Sequence, residues 1–185
     1  MNGELSLRNR QCTRPVDLRL LRRITRCLLA DFIRPQYFEL GIHLVDAVEM
    51  AHVNQTFLRH QGSTDVITFD YGAGPFGVPA SAGRSSKRST RSRVCPSDRL
   101  KAGLQTHGEI FLCLDDAVAQ ARQFRTTWQC ELVRYLIHGL LHLCGYDDQR
   151  SAARLRMKRA ENRVLRELSR RFALSELGRE PKLRG

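Results

Sequence analysis

The residues best suited to chemistry lie in one stretch, HGLLHLCGYDD, which runs from His138 to Asp148. The segment before its glycine has apolar residues in helical rhythm, at Leu132, Leu136, Leu140 and Leu143. A helix here would place His138 and His142 one turn apart on the same face. Two imidazoles in that relation can bind a single metal ion.

The residues after the second histidine offer a third ligand. Gly145 can adopt the left-handed conformation that ends a helix, so the chain can turn back and bring Asp147 or Asp148 to the same point. Two imidazoles and a carboxylate suit Zn²⁺, and three protein ligands leave a position for water, as in catalytic zinc sites. Zinc lowers the pKa of bound water to about 7, which predicts hydrolysis. Cys144 is a possible soft ligand, although a buried structural thiol is the commoner use.

One residue argues against peptide hydrolysis. Gly139 occupies the position at which H-E-x-x-H peptidases carry their glutamate base. A zinc peptidase therefore remains only a weak alternative.

The whole stretch resembles the H-G-x-L-H-L-x-G-Y-D-H signature of the YbeY endoribonuclease family, and Met157 and Glu161 resemble the M-x-x-x-E spacing that follows it. The resemblance implies a zincin-like YbeY fold and a zinc-dependent, single-strand-specific endoribonuclease of small-subunit rRNA 3′-end maturation and ribosome quality control. This chain departs from the signature at Asp148, where the family has its third metal-binding histidine. We expect His138, His142 and Asp148 to hold one Zn²⁺, with Asp147 as the acceptor that orients a ligating histidine.

A second segment extends the resemblance. The family has L-N-x-x-x-R before T-D-V-L-S-F-P, and this chain supplies Asn54, Arg59 and the run TDVITFD, in which Asp70 replaces the proline. In the family the arginine is tied to RNA processing, so the resemblance makes Arg59 a catalytic residue. A guanidinium suits this role because its forked, permanent charge can stabilise a phosphate in the transition state.

The remaining histidines carry weaker signals. His43 and His52 have no partner at ligand spacing, which favours structural roles as half-buried residues. His107 is a conceivable substitute ligand, but a strand histidine without a metal is the simpler interpretation.

Composition places the chain among globular proteins. Its 185 residues are 42% hydrophobic and fit one domain with a sizeable core. No run of eighteen apolar residues predicts a spanning helix, and arginines interrupt the N-terminal apolar runs that could serve as a signal peptide. The six cysteines contain no C-x-x-C pair, so we expect reduced thiols and a cytoplasmic protein.

The charge distribution points to a polyanionic partner. The net charge is +12, with +4 in residues 1–40, +6 in 84–101 and +8 in 150–185, while 41–83 and 102–149 each carry −3. Basic arms around a mildly acidic centre suit RNA binding, with rRNA and the ribosomal small subunit or its associated proteins as partners. A non-catalytic RNA-binding assembly factor, with metal binding weakened by Asp148, stays open as the main alternative.

The elements follow from hydrophobic periodicity. We predict strands over 4–10, 38–46 and 107–114, a helix over 17–32, and a helix over 47–58 with Val48, Ala51 and Phe57 inward. Thr126 or Thr127 caps the helix that bears the histidines, and a long helix follows with its inward residues at Leu155, Val164, Leu165 and Leu168.

These elements predict a single α+β domain, a small mixed β-sheet covered by helices with the metal site on a late helix. Residues 1–71 and 107–172 form its two parts. Residues 72–106, rich in Gly, Ser, Pro and Arg, are predicted to be a disordered basic insertion, and residues 173–185 a flexible tail.

Overall fold

A computed structural model describes residues 2–72, 78–79 and 105–179. Its strands are β1 (Asn2–Asn9), β2 (Tyr37–Val45), β3 (Val66–Asp70), β4 (Val78–Pro79) and β5 (Gln105–Cys113). Its α-helices are α1 (Leu18–Cys27), α2 (Ala47–Val53), α3 (Leu114–Phe124), α4 (Trp128–Leu143) and α5 (Ser151–Arg171). Two π-helices, Leu28–Ile33 and Asn54–Leu58, and a 3₁₀ helix, Leu174–Gly178, complete the described elements. Most of the predicted insertion 72–106 lies outside the described residues.

The strands form one mixed sheet in the order β1-β2-β5-β3-β4. β1, β2 and β5 are parallel, whereas β3 runs antiparallel to β5, and β4 antiparallel to β3. The expected α+β architecture with a small mixed sheet is confirmed. The parallel neighbours β1 and β2 are joined by a crossover that contains α1, and the connection from β2 to β5 contains α2 and β3.

The helices divide between the two faces of the sheet. The larger core joins Leu40, Ile42 and Ile110 of the central strands to buried residues of α1, α4 and α5. The opposite face carries a smaller cluster, made with α2, whose members are Val45, Met50, Val53, Ile67, Phe69 and Cys113. Alternation along β2, β3 and β5 sends successive side chains to these two cores. None of the helices among the described residues is long and apolar enough to cross a membrane.

The predicted inward face of the helix over 47–58 is wrong. Val48 is 80% exposed and Phe57 58% exposed, whereas Met50 and Val53 are buried. Val48 lies in the regular α-helical part, whose buried side is that of Met50 and Val53. Phe57 lies in the π-helix that continues from Asn54, where the angle between successive residues differs from that of an α-helix.

Two further expectations need correction at the C-terminal end. Leu155 is 52% exposed, so the apolar face of α5 consists of Met157, Val164, Leu165 and Leu168 instead. Part of the predicted tail is folded, because Leu174 and Leu177 are buried, and the carbonyl of Leu177 accepts a hydrogen bond of 2.9 Å from the Asp17 amide. Leu155 is nine residues, or about two and a half turns, before Val164 and therefore lies on the opposite side of the helix. The burial of Leu174 and Leu177 instead arises from tertiary packing, which a short sequence window does not report.

Candidate metal centre

The helix that carries the histidines has well-defined ends. Thr127 caps α4 by accepting a hydrogen bond from the amide of Cys130 at 3.3 Å. At the other end Gly145 has φ +82°, and its amide donates to the carbonyl of His142 at 2.8 Å. The threonine cap and the glycine turn predicted from the sequence are both confirmed.

Gly139 allows α4 to lie directly on the sheet beside the histidines. A Cβ atom at this position would stand 2.8 Å from Ile110 Cγ2 and 3.1 Å from Thr68 Oγ1. Such contacts are closer than van der Waals packing permits, so the position has room only for glycine. A glutamate base of the H-E-x-x-H type would not fit here without moving the helix away from β3 and β5.

His138, His142 and Asp148 lie together, with one donor atom from each within 4.8 Å of the others. The Nε2 atoms of the two histidines are 3.1 Å apart, and His138 Nε2 lies 3.9 Å from Asp148 Oδ2. The side chains of His138 and Asp148 are 25% and 41% exposed, so small molecules can reach this centre. The three residues predicted as metal ligands are therefore brought together.

The outer nitrogen of each ring identifies its tautomer. His138 Nδ1 lies 3.2 Å from Glu161 Oε2, and His142 Nδ1 lies 3.1 Å from the carbonyl oxygen of Tyr146. A carbonyl or an ionised carboxylate only accepts hydrogen bonds, so each Nδ1 carries the proton. Both Nε2 atoms then direct lone pairs at the same region, where a shared cation would stabilise them. This is the usual arrangement of metal-binding histidines, with the second nitrogen fixed by an outer acceptor.

Glu161 joins the metal centre to a buried ionic network. Its Oε1 accepts hydrogen bonds from Arg134 Nη1 at 2.7 Å and Lys158 Nζ at 3.0 Å. Arg134 in turn donates from Nε to Glu131 at 3.2 Å. The side chains of Glu161 and Glu131 are each 4% exposed and that of Arg134 is 22% exposed, so water does little to screen the contacts among them. Lys158 is 55% exposed and remains in contact with water.

The network settles the charge of Glu161. Burial opposes ionisation, but the hydrogen bonds from His138, Arg134 and Lys158 outweigh it and lower the pKa of the carboxyl to about 2. Burial, together with the neighbouring His138, lowers the pKa of His142 below its ordinary range. An anionic Glu161 and a neutral His142 are the states that metal ligation requires.

The loop after α4 positions Asp148. Arg154 Nε donates a hydrogen bond of 2.9 Å to the backbone carbonyl of Asp148, which fastens this loop to the first turn of α5. The carboxylate of Asp147 is exposed and accepts from the amide of Gln149 at 2.9 Å. The acceptors found at the two imidazole Nδ1 atoms are Glu161 and Tyr146, so the described contacts do not bring Asp147 to either ring.

Arg59 occupies a special backbone position away from these contacts. It ends the π-helix Asn54–Leu58 with φ 58°, and its side chain is exposed. The described contacts of the two histidines do not include Arg59, so its catalytic assignment stays a prediction.

The other candidate ligands are elsewhere. His43 is buried, stacks on Phe111 with ring centroids 4.5 Å apart, and lies 3.2 Å from Glu109, in agreement with a structural role. His52 is exposed rather than half-buried. His107 lies on central strand β5, 3.5 Å from Glu39. Cys144 is outside the three-residue cluster, and burial raises the pKa of its thiol to about 12.

Glu161 is the site residue whose role sequence reasoning missed. Its spacing from Met157 matches a family pattern, but nothing in that pattern says that the carboxylate reaches His138. Both Met157 and Glu161 face inward on α5, and an acidic residue at an otherwise apolar inward position was the available signal.

The family model described as Endoribonuclease YbeY matches residues 6–169. "Endoribonuclease YbeY" of Salinibacter ruber is 29% identical over 161 residues, which cover 87% of this chain and 89% of that protein. The protein of the same description from Bacteroides thetaiotaomicron is 34% identical over 117 residues, 63% of this chain and 64% of its own.

A solved structure shares the fold. The solution structure of TM1509 from Thermotoga maritima has a TM-score of 0.57 with 18% identity, covering 98% of this chain and 100% of that one. The predicted fold class is thereby confirmed. From the length of the family match, together with the motif that folds into the histidine and aspartate cluster, the chain belongs to the YbeY endoribonuclease family.

Proposed function

We propose that this chain is a metal-dependent endoribonuclease that cleaves single-stranded RNA, with one Zn²⁺ held by His138, His142 and Asp148. The relatives that match it are described as endoribonucleases, which supports the reaction class. The observation that carries the metal assignment is the convergence of two Nε2 lone pairs near the carboxylate of Asp148.

The donor set fits zinc. Two neutral imidazoles and one carboxylate form a three-ligand set that leaves room for water or substrate, and both imidazoles have an outer acceptor. A bound Zn²⁺ would supply Lewis acidity, polarising water and a phosphate oxygen at neutral pH.

The chain's own residues have separate tasks. Glu161 keeps the proton of His138 on Nδ1, so that Nε2 remains a ligand. The carbonyl of Tyr146 does the same for His142. Arg59 is assigned to the phosphate, since an exposed guanidinium can bind two of its oxygens and offset the charge that develops during cleavage.

We further propose that the substrate is small-subunit rRNA near its 3′ end, in the cytoplasm, in maturation and quality control of ribosomes. The net charge of +12 supports a polyanionic substrate. The expected partners are the ribosomal small subunit or its associated proteins.

One alternative rests on a specific feature. Asp148 replaces a histidine of the family motif, and its side chain is 41% exposed, which would weaken metal binding. The chain would then be an RNA-binding assembly factor without catalysis. A zinc peptidase is disfavoured, because Gly139 has no space for a side chain.

The deciding experiment combines zinc stoichiometry with cleavage of single-stranded RNA. Wild type, His142→Ala, Arg59→Glu and the control His52→Ala, an exposed histidine outside the metal cluster, would be compared. We expect one zinc per chain and cleavage for wild type and the control. His142→Ala should lose both, and Arg59→Glu only cleavage. If the wild type binds RNA but holds no zinc and does not cleave the RNA, and Asp148→His restores neither property, the chain is an RNA-binding assembly factor instead.

A further inference from the structure

The exposed side of α5 carries a regular row of arginines. We call Arg156, Arg159, Arg163, Arg166 and Arg170 the basic face; all five are exposed, and their spacing of three or four residues places them along one side of the helix. From Arg156 to Arg170 the helix rises by about 21 Å. The row is therefore an extended positive surface rather than a single site.

Acidic residues of α5 do little to neutralise this face. The helix contains eight Lys and Arg but only two glutamates. Glu161 is buried in the network behind His138, and Glu167 pairs with Arg171 at 2.9 Å and with Arg170 at 3.7 Å. Among the described residues, no carboxylate pairs with Arg156, Arg159 or Arg166, and the Nε of Arg166 donates to the carbonyl of Asn162.

The basic face shares α5 with residues that support the metal centre but lies on the other side of the helix, since Arg159 and Arg163 stand two residues on either side of Glu161. In the first turns of α5, Arg154 is bonded to the carbonyl of Asp148, and Lys158 is bonded to the carboxylate that holds His138. The outward arginines then continue along the same helix. An RNA long enough to pass around α5 could place one phosphate at the metal centre and another segment on the basic face.

The chemistry of the face selects its partner. Seven of the eight cations of α5 are arginines, whose forked guanidinium binds phosphate oxygens in pairs. Membrane-surface helices need a row of exposed apolar residues, whereas Leu155 is the large apolar residue exposed on α5. An evenly spaced polyanion, the phosphate backbone of RNA, matches these properties best.

We propose that the basic face of α5 binds the phosphate backbone of the substrate RNA, at a segment separate from the one that enters the metal centre. This proposal rests on the proposed function for the identity of the RNA as substrate, but its binding test is independent of cleavage. The face extends the contact beyond the scissile phosphate, so it should govern the affinity for long RNA and leave the chemical step unchanged.

The test compares two triple variants with equal loss of charge. Arg156, Arg159 and Arg166 are changed to Gln in one, and the exposed Arg14, Arg26 and Arg122 of other segments are changed to Gln in the control. Both are made in the His142→Ala background, so that turnover does not consume the RNA, and folding is checked by circular dichroism. Binding of a long single-stranded RNA is measured over a range of salt concentrations.

We expect the basic-face variant to bind more weakly and to lower the slope of log Kd against log salt by about 2, or ~0.7 for each lost phosphate contact. The control should change the slope far less. Equal slopes for the two variants would overturn the proposal, because binding would then reflect net charge alone. The proposal would also be overturned if the basic-face variant bound RNA as tightly as the His142→Ala protein but bound vesicles of anionic phospholipid more weakly.

A second measurement uses the same triple substitution with His142 retained. For long RNA, KM should rise while kcat stays unchanged; for a trinucleotide, which is too short to contact both the metal centre and the basic face, neither should change. An equal rise in KM for long RNA and for the trinucleotide would contradict a contact away from the metal centre. If wild type cleaves no RNA but the salt slopes differ as expected, the proposed nuclease function fails while the RNA-binding face stands.

Discussion

Replacing Glu161 with glutamine tests the arrangement of the metal centre most directly. The carboxylate contacts His138, Arg134 and Lys158, and its side chain is 4% exposed. Glutamine keeps the size of the side chain but removes its charge. It can also turn its amide toward Nδ1 of His138, which would move the imidazole proton to Nε2 and block that ligand atom.

The size of the expected loss of stability follows from the lowered pKa of Glu161. A fall from the ordinary value of 4.5 to about 2 corresponds to about 3 kcal/mol favouring the ionised state of the folded protein. Glu161→Gln should therefore lower the free energy of unfolding at neutral pH by a similar amount. Loss of the outer acceptor should weaken zinc binding by about 10- to 100-fold.

The pH dependence has a definite sign. Because the folded-state pKa is depressed, the stabilisation by Glu161 is complete above 4.5 and is lost as the pH falls toward 2. Urea denaturation from neutral to acidic pH should show this loss in wild type and not in Glu161→Gln. Glu167→Gln, on the same helix but contacting Arg170 and Arg171, is the matched control.

Zinc affinity would be measured by competition with a chromophoric chelator, and the ligand field by substituting Co²⁺ and recording its absorption. A Glu161→Gln protein with wild-type zinc affinity and an unchanged cobalt spectrum would refute the role given to Glu161. So would a loss of stability in Glu167→Gln as large as in Glu161→Gln.

Four other outcomes are expected. Gly139→Ala should lower the free energy of unfolding by about 1–3 kcal/mol in urea titrations, because its Cβ would clash with the sheet; unchanged stability would contradict the close packing. Asp148→Asn should weaken zinc binding in the same chelator assay and Asp148→His should tighten it, whereas equal affinities would remove Asp148 from the ligand set. Burial lowers the pKa of His43, so wild type should lose stability as the pH falls below 6.5, where the unfolded imidazole takes up a proton; His43→Phe should remove this dependence in urea titrations. Iodoacetamide should alkylate exposed Cys12 in the native protein but spare Cys113, because burial raises the pKa of the Cys113 thiol to about 12. Alkylation of native Cys113, detected by mass spectrometry, would contradict this packing.

The sequence alone located the chemistry because the decisive relations are local. A spacing of four residues on a helix places His138 and His142 side by side whatever surrounds them, and Gly145 ends that helix through its own backbone freedom. Alternation of apolar residues likewise identified the strands of a mixed sheet. These features depend on residues that are close together in the chain, so they can be recognised in one sequence.

Tertiary structure decided what depends on residues far apart in the chain. Glu161 meets His138 across 23 positions, and Gly139 is required because β3 and β5 lie directly beneath it. Leu174 and Leu177, which were predicted to be part of a flexible tail, are buried because they pack against a core built from distant parts of the chain. Local patterns fix which side chains share a helix face, but only packing fixes what that face meets, and with it the proton positions and charges that prepare the two histidines for a metal.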